Sequence, residues 1–120
     1  MDISIVIPVY NEGDNVLVLA EKLRECIVLK ERQWEAIFVD DGSTDGTYQE
    51  LLKAKSRVPQ VRIIRFGVNA GKSAAYSAGF LHAAGLVIVT MDGDLQDDPG
   101  ELGSLVNALA RPFGVGLDEH

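Results

Sequence analysis

Apolar residues fall in four short runs, separated by stretches where they recur every third or fourth position. The runs are Ile3-Ser4-Ile5-Val6-Ile7, Ala36-Ile37-Phe38-Val39, Val61-Arg62-Ile63-Ile64-Arg65-Phe66 and Leu86-Val87-Ile88-Val89-Thr90. They are rich in β-branched side chains and short, which predicts strands. The first breaks at Pro8. The third alternates with arginine, as an edge strand would, and the fourth reads as a strand buried on both faces. Between the runs, Val16, Leu19, Ala20, Leu23 and Ile27 share one face of a helix reaching about Leu29. Tyr48, Leu51 and Leu52 mark a short helix that stops before Pro59. Ala74, Ala75, Ala78, Gly79 and Ala83 give the next helix a small inner face, able to approach a sheet closely. Leu102, Leu105, Val106 and Leu109 form a fourth helical stripe, with Asp98-Pro99 as its N-cap and first residue.

Four strands alternating with four helices predict an α/β fold, a Rossmann-like open parallel sheet with right-handed crossovers. Residues 1–112 make one domain, and residues 113–120, with no helical period, an irregular tail. In such sheets ligands bind beyond the carboxyl ends of the strands, where the winding direction reverses. With strand one between strands two and four, the reversal falls between one and four. Three loops then converge: Pro8 to Glu12, Asp40 to Gly46, and Asp92 to Gln96.

Each loop carries more polar groups than a turn needs. Asp92 and Asp94 flank one glycine at a strand end, and crowded carboxylates repel unless a cation sits between them. Mg²⁺ or Mn²⁺ suits such a site, using one or two carboxylates plus substrate phosphates. An Asp-x-Asp is also ordinary chemistry for a solvated loop that caps a helix. Ser43, Thr44 and Asp45 likewise fit a turn and an N-cap, whereas Asp40 and Asp41 together exceed what a turn requires. Gly42 and Gly46 suit positive φ or close approach of a ligand. Lys72 opens a helix, where backbone donors favour a phosphate. Gly71-Lys72-Ser73 looks like the end of a phosphate loop, but Phe66 stands where that motif needs its first glycine. His82 takes no role, and Trp34 and Tyr76 are packing residues.

Composition narrows the classes. The 120 residues are 47% hydrophobic and 24% charged, ordinary for a globular domain. A net charge of −7 argues against binding nucleic acid through phosphate contacts. Cys26 is the single cysteine, a buried or half-buried helical thiol, so no disulfide framework or cysteine metal site arises. The first apolar run stops at Pro8, unlike a signal peptide, and no run approaches the ~18 apolar residues of a membrane span. The expectation is a cytoplasmic domain, at the inner face of the membrane in a longer protein.

Pro8-Val9-Tyr10-Asn11-Glu12, Val39-Asp40-Asp41-Gly42-Ser43-Thr44-Asp45-Gly46-Thr47, Asn69-Ala70-Gly71-Lys72 and Asp92-Gly93-Asp94-Leu95-Gln96 resemble the family 2 glycosyltransferases in order and approximate spacing. The ending Asp94-Leu95-Gln96-Asp97-Asp98-Pro99 is similar to the branch that loads sugars onto polyprenyl phosphates, such as dolichol-phosphate mannose synthases. The resemblance covers about residues 3–110. It implies the N-terminal, donor-binding half of a GT-A fold, and a UDP- or GDP-sugar as donor. Tyr10 and Glu12, beside Pro8, would line the base and ribose pocket. Asp41, with Asp40 beside it, would accept from the base. Asp92 would face the ribose and the metal region. Asp94 would bind Mg²⁺ or Mn²⁺ bridging the pyrophosphate, with Gln96 as a further ligand.

The implied reaction is a single displacement with inversion, with Asp92 and Asp94 as the catalytic pair. A lipid phosphate acceptor is already ionised and needs no general base. The family continues past the fourth helix with the acceptor site, so a non-catalytic nucleotide-sugar-binding module is the alternative. A response-regulator receiver fits less well, because the acidic pair here follows strand two and strand three ends in Phe66-Gly67. An aspartyl phosphatase would carry its Asp92-type motif early in the chain, with Thr or Val where Leu95 stands.

Overall fold

The computed structural model describes residues 1–93, without the side chains at 27 and 28. The fourth predicted helix, the tail at 113–120, Asp94 and Gln96 lie outside the described residues. In chain order the elements are β1 (Ile3–Val9), α1 (Gly13–Arg24), α2 (Ile27–Lys30), β2 (Trp34–Asp40), α3 (Thr47–Arg57), β3 (Val61–Arg65), α4 (Lys72–His82) and β4 (Val87–Thr90). The sheet is parallel, in the order β3-β2-β1-β4. The predicted reversal therefore lies between β1 and β4, and among the described residues β3 is an edge.

All residues of β1 and β2 are buried, as two-sided parallel strands require. Alternation divides them between two cores. Ile3, Ile5, Ile7, Ala36 and Phe38 pack with Val16, Leu19 and Leu23 of α1 and with Leu51 and Ala54 of α3. Val6, Ile37 and Val39 face Ala75 of α4 on the other side. The small face of α4 is what permits its approach. A Cβ added at Gly79 would lie 2.3 Å from Val6 Cγ1, so only glycine lets the helix sit this close.

Several local expectations change. The first helix stops at Arg24 rather than near Leu29. An extended Cys26 redirects the chain into α2, which lets both Cys26 and Leu29 reach the core. Leu52 is exposed, and α3 buries Thr47, Leu51 and Ala54 instead. β4 is not buried on both faces: Leu86 is 85% exposed and Ile88 is also open. Among the described residues β4 borders only β1, and a continuous apolar run does not reveal how many faces are covered.

Pro8 does not break β1, which continues through Val9 beside β2. The carbonyls of Asp2 and Val6 accept from Val87 and Met91 on the β4 side, and that of Val9 accepts from Asp41 on the β2 side. By this alternation Pro8 faces the β4 side, beyond the last paired residue Val6. Its missing N–H costs no bond of the paired ladder.

At the amino end of the sheet, β2 begins two residues earlier than expected and buries Glu35. Glu35 accepts the Ser4 hydroxyl, the Ala84 N–H at 2.8 Å and Arg62 Nη1 at 2.6 Å. Ser4 Oγ accepts the Gly85 N–H at 2.8 Å. One carboxylate thus ties β1, β2, β3 and the turn into β4.

Candidate functional site

The loops at the opposite end of the sheet are knitted together before any ligand is considered. Asn11 adopts φ 53°, a left-handed conformation that asparagine tolerates better than most residues. Its N–H donates to Ser43 Oγ at 2.9 Å, and its Oδ1 accepts the Thr44 N–H at 2.9 Å and the Asp45 N–H at 3.3 Å. The Glu12 N–H donates to Thr47 Oγ1 at 3.0 Å. These bonds fix the loop carrying Tyr10 and Glu12 against the loop after β2.

Ser43, Thr44 and Asp45 are accounted for by this folding role. Asp45 accepts the Thr47 hydroxyl and, at 2.8 Å, the Thr47 N–H at the start of α3. The hydroxyl bond holds the Asp45 carboxyl below its ordinary pKa, against a partial desolvation that raises it; backbone bonds from Thr47 and Gly13 add to the lowering. Gly46 has φ −83°, so the expected left-handed conformation is absent there. Gly42 does adopt it, at φ 74°, but the close approach is to the chain itself: an added Cβ would lie 2.3 Å from the Asn69 nitrogen.

Asp40 and Asp41 diverge because adjacent strand residues face opposite sides. Asp40 is buried, with Oδ1 accepting the Ser43 N–H at 3.0 Å. Its Oδ2 is buried with no hydrogen-bond partner among the described residues. Expected to contact donor, Asp40 instead sits outside the pocket lining, turned into its own loop. Asp41 points the other way and gathers the turn between β3 and α4. Its Oδ1 accepts the Ala70 N–H at 2.7 Å, and its Oδ2 accepts the Gly71 N–H at 3.0 Å and Asn69 Nδ2 at 3.2 Å. Gly71, at φ 99°, then launches α4 with Lys72 as its first residue.

The result is a pocket of about 360 Å³ lined by Pro8, Tyr10, Glu12, Asp41, Lys72 and Asp92, with Val9 and Gly93 between them. That volume is within the usual range for small-molecule sites. These six residues were all expected from the sequence, and they come from four separate segments. A wider depression between α1 and α3, lined by Leu17, Val18, Asp14 and Glu50 among others, gathers none of the expected site residues. Within the pocket, Lys72 Nζ lies 2.9 Å from Asp92 Oδ1, with both side chains largely exposed.

Among the described residues, no group of three or more His, Cys, Asp or Glu side chains is arranged to hold a metal. The donor set nevertheless fits a hard divalent ion completed by phosphate oxygens. Asp92 offers one hard oxygen donor at the pocket wall, where it pairs with the Lys72 ammonium. Asn11 and Asn69 stand in the quoted motifs, but the sequence assigned neither a role; both act in joining the loops. Their signal was an asparagine beside a tight turn, too common to single out.

The family model described as "Glycosyl transferase family 2" matches residues 4–117. The chain belongs to that family. It is 41% identical over 115 residues to the dodecaprenyl-phosphate galacturonate synthase of Rhizobium johnstonii, covering 92% of this chain and 33% of that protein. It is 40% identical over 116 residues to an undecaprenyl-phosphate 4-deoxy-4-formamido-L-arabinose transferase of Pectobacterium carotovorum, covering 95% of this chain and 35% of the relative. The chain thus spans about a third of the length of these curated relatives.

Among solved structures it is similar to the mannosyltransferase PcManGT of Pyrobaculum calidifontis in complex with GDP-Man and Mn²⁺. The TM-score is 0.68 at 26% identity, over 89% of this chain and 31% of that one. It is also similar to S. aureus TarS in complex with UDP, with TM-score 0.69 and 25% identity over 78% of this chain and 28% of that one. The four-stranded parallel sheet is accordingly a portion of a GT-A fold.

Proposed function

We propose that this family 2 chain captures a nucleoside diphosphate sugar for transfer to a polyprenyl phosphate, with inversion at the sugar carbon. The observation that carries the reading is the convergence of Tyr10, Glu12, Asp41, Lys72 and Asp92 on one pocket at the strand ends. The acceptor class rests on the polyprenyl-phosphate relatives, and the donor class on structural neighbours that hold GDP-Man or UDP.

The residues divide the work by chemistry. Tyr10 and Glu12, on a loop pinned by Asn11, flank the base and ribose. Asp41 Oδ1 accepts one bond from the turn, so a second lone pair can take a base N–H. Lys72, at the start of α4, offers a positive charge to the diphosphate, where backbone N–H groups also favour anions. Asp92, together with Asp94 and Gln96 outside the described residues, would hold Mg²⁺ or Mn²⁺. When bound, that ion supplies electrostatic stabilisation of the charge that builds on the departing diphosphate. A phosphate acceptor attacks already ionised, so none of these residues has to remove a proton from it. A lipid-borne acceptor puts the reaction at the cytoplasmic face of a membrane; no helix among the described residues is long and apolar enough to cross one.

Calorimetry with UDP- and GDP-sugars, with and without Mn²⁺, tests the donor reading, and a transfer assay to undecaprenyl phosphate tests the reaction. Metal-dependent binding is expected, and Asp94→Ala should abolish the metal dependence while leaving the fold intact. Equal affinity in that variant removes the metal role. Binding without transfer favours a donor-capture module.

A further inference from the structure

One side of β4 is left uncovered among the described residues. Ile88 stands beside Ser4 in the register and Thr90 beside Val6, so the pleat turns both toward the face on which α4 packs. Ile88 is 43% exposed and Thr90 is open, whereas Val89, on the other face, packs against the core of α1 and α3. The helix covers the far side instead. Tyr76 of α4 joins the cluster that contains Ile64 and Phe66, toward β3. By the helical period Ala74, Ala78 and Leu81 lie on the opposite flank, toward β4. Leu81 is 81% exposed, and Leu86, in the turn into β4, is equally open. Helix flank and strand face thus meet in one apolar corner, a kind of surface that marks an interaction site.

We propose that this corner receives the chain's own next segment, through the stripe Leu102, Leu105, Val106 and Leu109. Those residues lie outside the described ones, and topology and tether length choose them as the occupant. From β1 to β3 the chain moves one way across the sheet, with α1 and α3 on one face. Its return to β4 puts α4 on the other. Right-handed crossovers bind the face to the direction of travel. β1 fills the inner side of β4, so a helix continuing past β4 keeps the direction of α4 and lies beside it, over the corner. The Met91 N–H donates to the Val6 carbonyl at 3.1 Å and Gly93 still lies against Val9, so the chain departs from the carboxyl end of β4. Only residues 94–97 separate that point from Asp98-Pro99, an ordinary length for a strand-to-helix loop. The stripe spans about 10 Å along a helix, against about 13 Å from Leu86 to Thr90 along the strand. On so short a tether the segment meets the face at an effective concentration on the order of millimolar, ahead of a second copy. Docking holds the loop at 94–97, and Asp94 with it, at both ends. The corner stands apart from the pocket, so this holds whatever the pocket binds.

Hydrogen–deuterium exchange on the full chain tests the docking. Amides of residues 102–109 should be protected in wild type at every protein concentration. Ile88→Lys puts a charge in the corner and should speed their exchange at least about tenfold, the scale of one lost apolar contact. Leu52→Lys, at an exposed position of α3 on the far face, should leave it unchanged. Retained protection in β1 and α1 checks that each variant folds. Absence of protection in wild type overturns the proposal. So does protection that survives Ile88→Lys, that Leu52→Lys removes equally, or that is lost on dilution, the mark of a second copy. Disulfide trapping reads the same contact without a charge. In a Cys26→Ala background, Ile88→Cys should bond within the chain to a cysteine at one of the four stripe positions. It should not bond to Ser104→Cys, which the helical period puts on the opposite side. No bond within the chain, or one to Ser104→Cys as readily, overturns it.

Discussion

The two ends of the sheet each bury a carboxylate that gathers neighbouring segments, yet they serve different ends. At the amino end, Glu35 accepts from Ser4, Ala84 and Arg62. Burial there raises its pKa, but the Ala84 N–H, the Ser4 hydroxyl and the Arg62 guanidinium outweigh that and hold it below the ordinary value. Its partners belong to the chain, and they end in the chain. At the carboxyl end, Asp41 is similarly occupied by the Asn69–Gly71 turn. What it organises, however, is Lys72, whose exposed ammonium reaches Asp92 across an open pocket. Burial and a satisfied hydrogen-bond set do not distinguish a structural carboxylate from a site carboxylate. The difference lies in whether the groups it holds face a ligand-sized space.

That contrast can be broken at either end. The largest effect is expected from Glu35→Ala, which leaves Arg62, the Ser4 hydroxyl and the Ala84 N–H without their acceptor. Arg62 is partly exposed and can rehydrate, so the loss should be about 2–3 kcal/mol in denaturant unfolding. Donor affinity of the folded variant should match wild type. If it falls, the two ends are not separable. Asp41→Asn should show the reverse balance. The amide has one acceptor oxygen and an NH₂ group facing backbone N–H donors, so the turn loses at least one bond. Unfolding free energy should drop by about 1 kcal/mol and calorimetric donor affinity by about tenfold.

The smallest effect sharpens the amino end alone. Because folding lowers the Glu35 pKa, the unfolded chain takes up this proton first as acid is added. The contribution is complete above the carboxyl's ordinary range and is lost as pH falls through the lowered value. The stability gap between wild type and Glu35→Gln should therefore narrow in acid. A gap independent of pH means the carboxylate charge contributes nothing there.

The order of elements, the central strand and the meeting of three loops were legible because each rests on a local period or on a topological rule. The small face of α4 was legible for the same reason, and Gly79 against Val6 is its outcome. Glu35 was not, since a charged residue beside Trp34 reads as a strand boundary. Its burial depends on Ser4, Arg62 and Ala84, which lie 31, 27 and 49 residues away in sequence. The separate fates of Asp40 and Asp41 were also hidden: both looked like donor contacts, and only the pleat decides which one reaches the pocket. Asn11 is a third case, because its φ of 53° follows from the partner loop it clips to.

Pro8 has a consequence of its own. Any other residue there would present an amide toward the segment after β4, able to add another rung to the ladder. A ring in place of that hydrogen makes position 8 a permanent stop in the zipper. The ladder ends there, but the chain does not part from it: a Cβ added at Gly93 would lie 2.6 Å from Val9 Cγ1 and 3.2 Å from the Pro8 carbonyl oxygen.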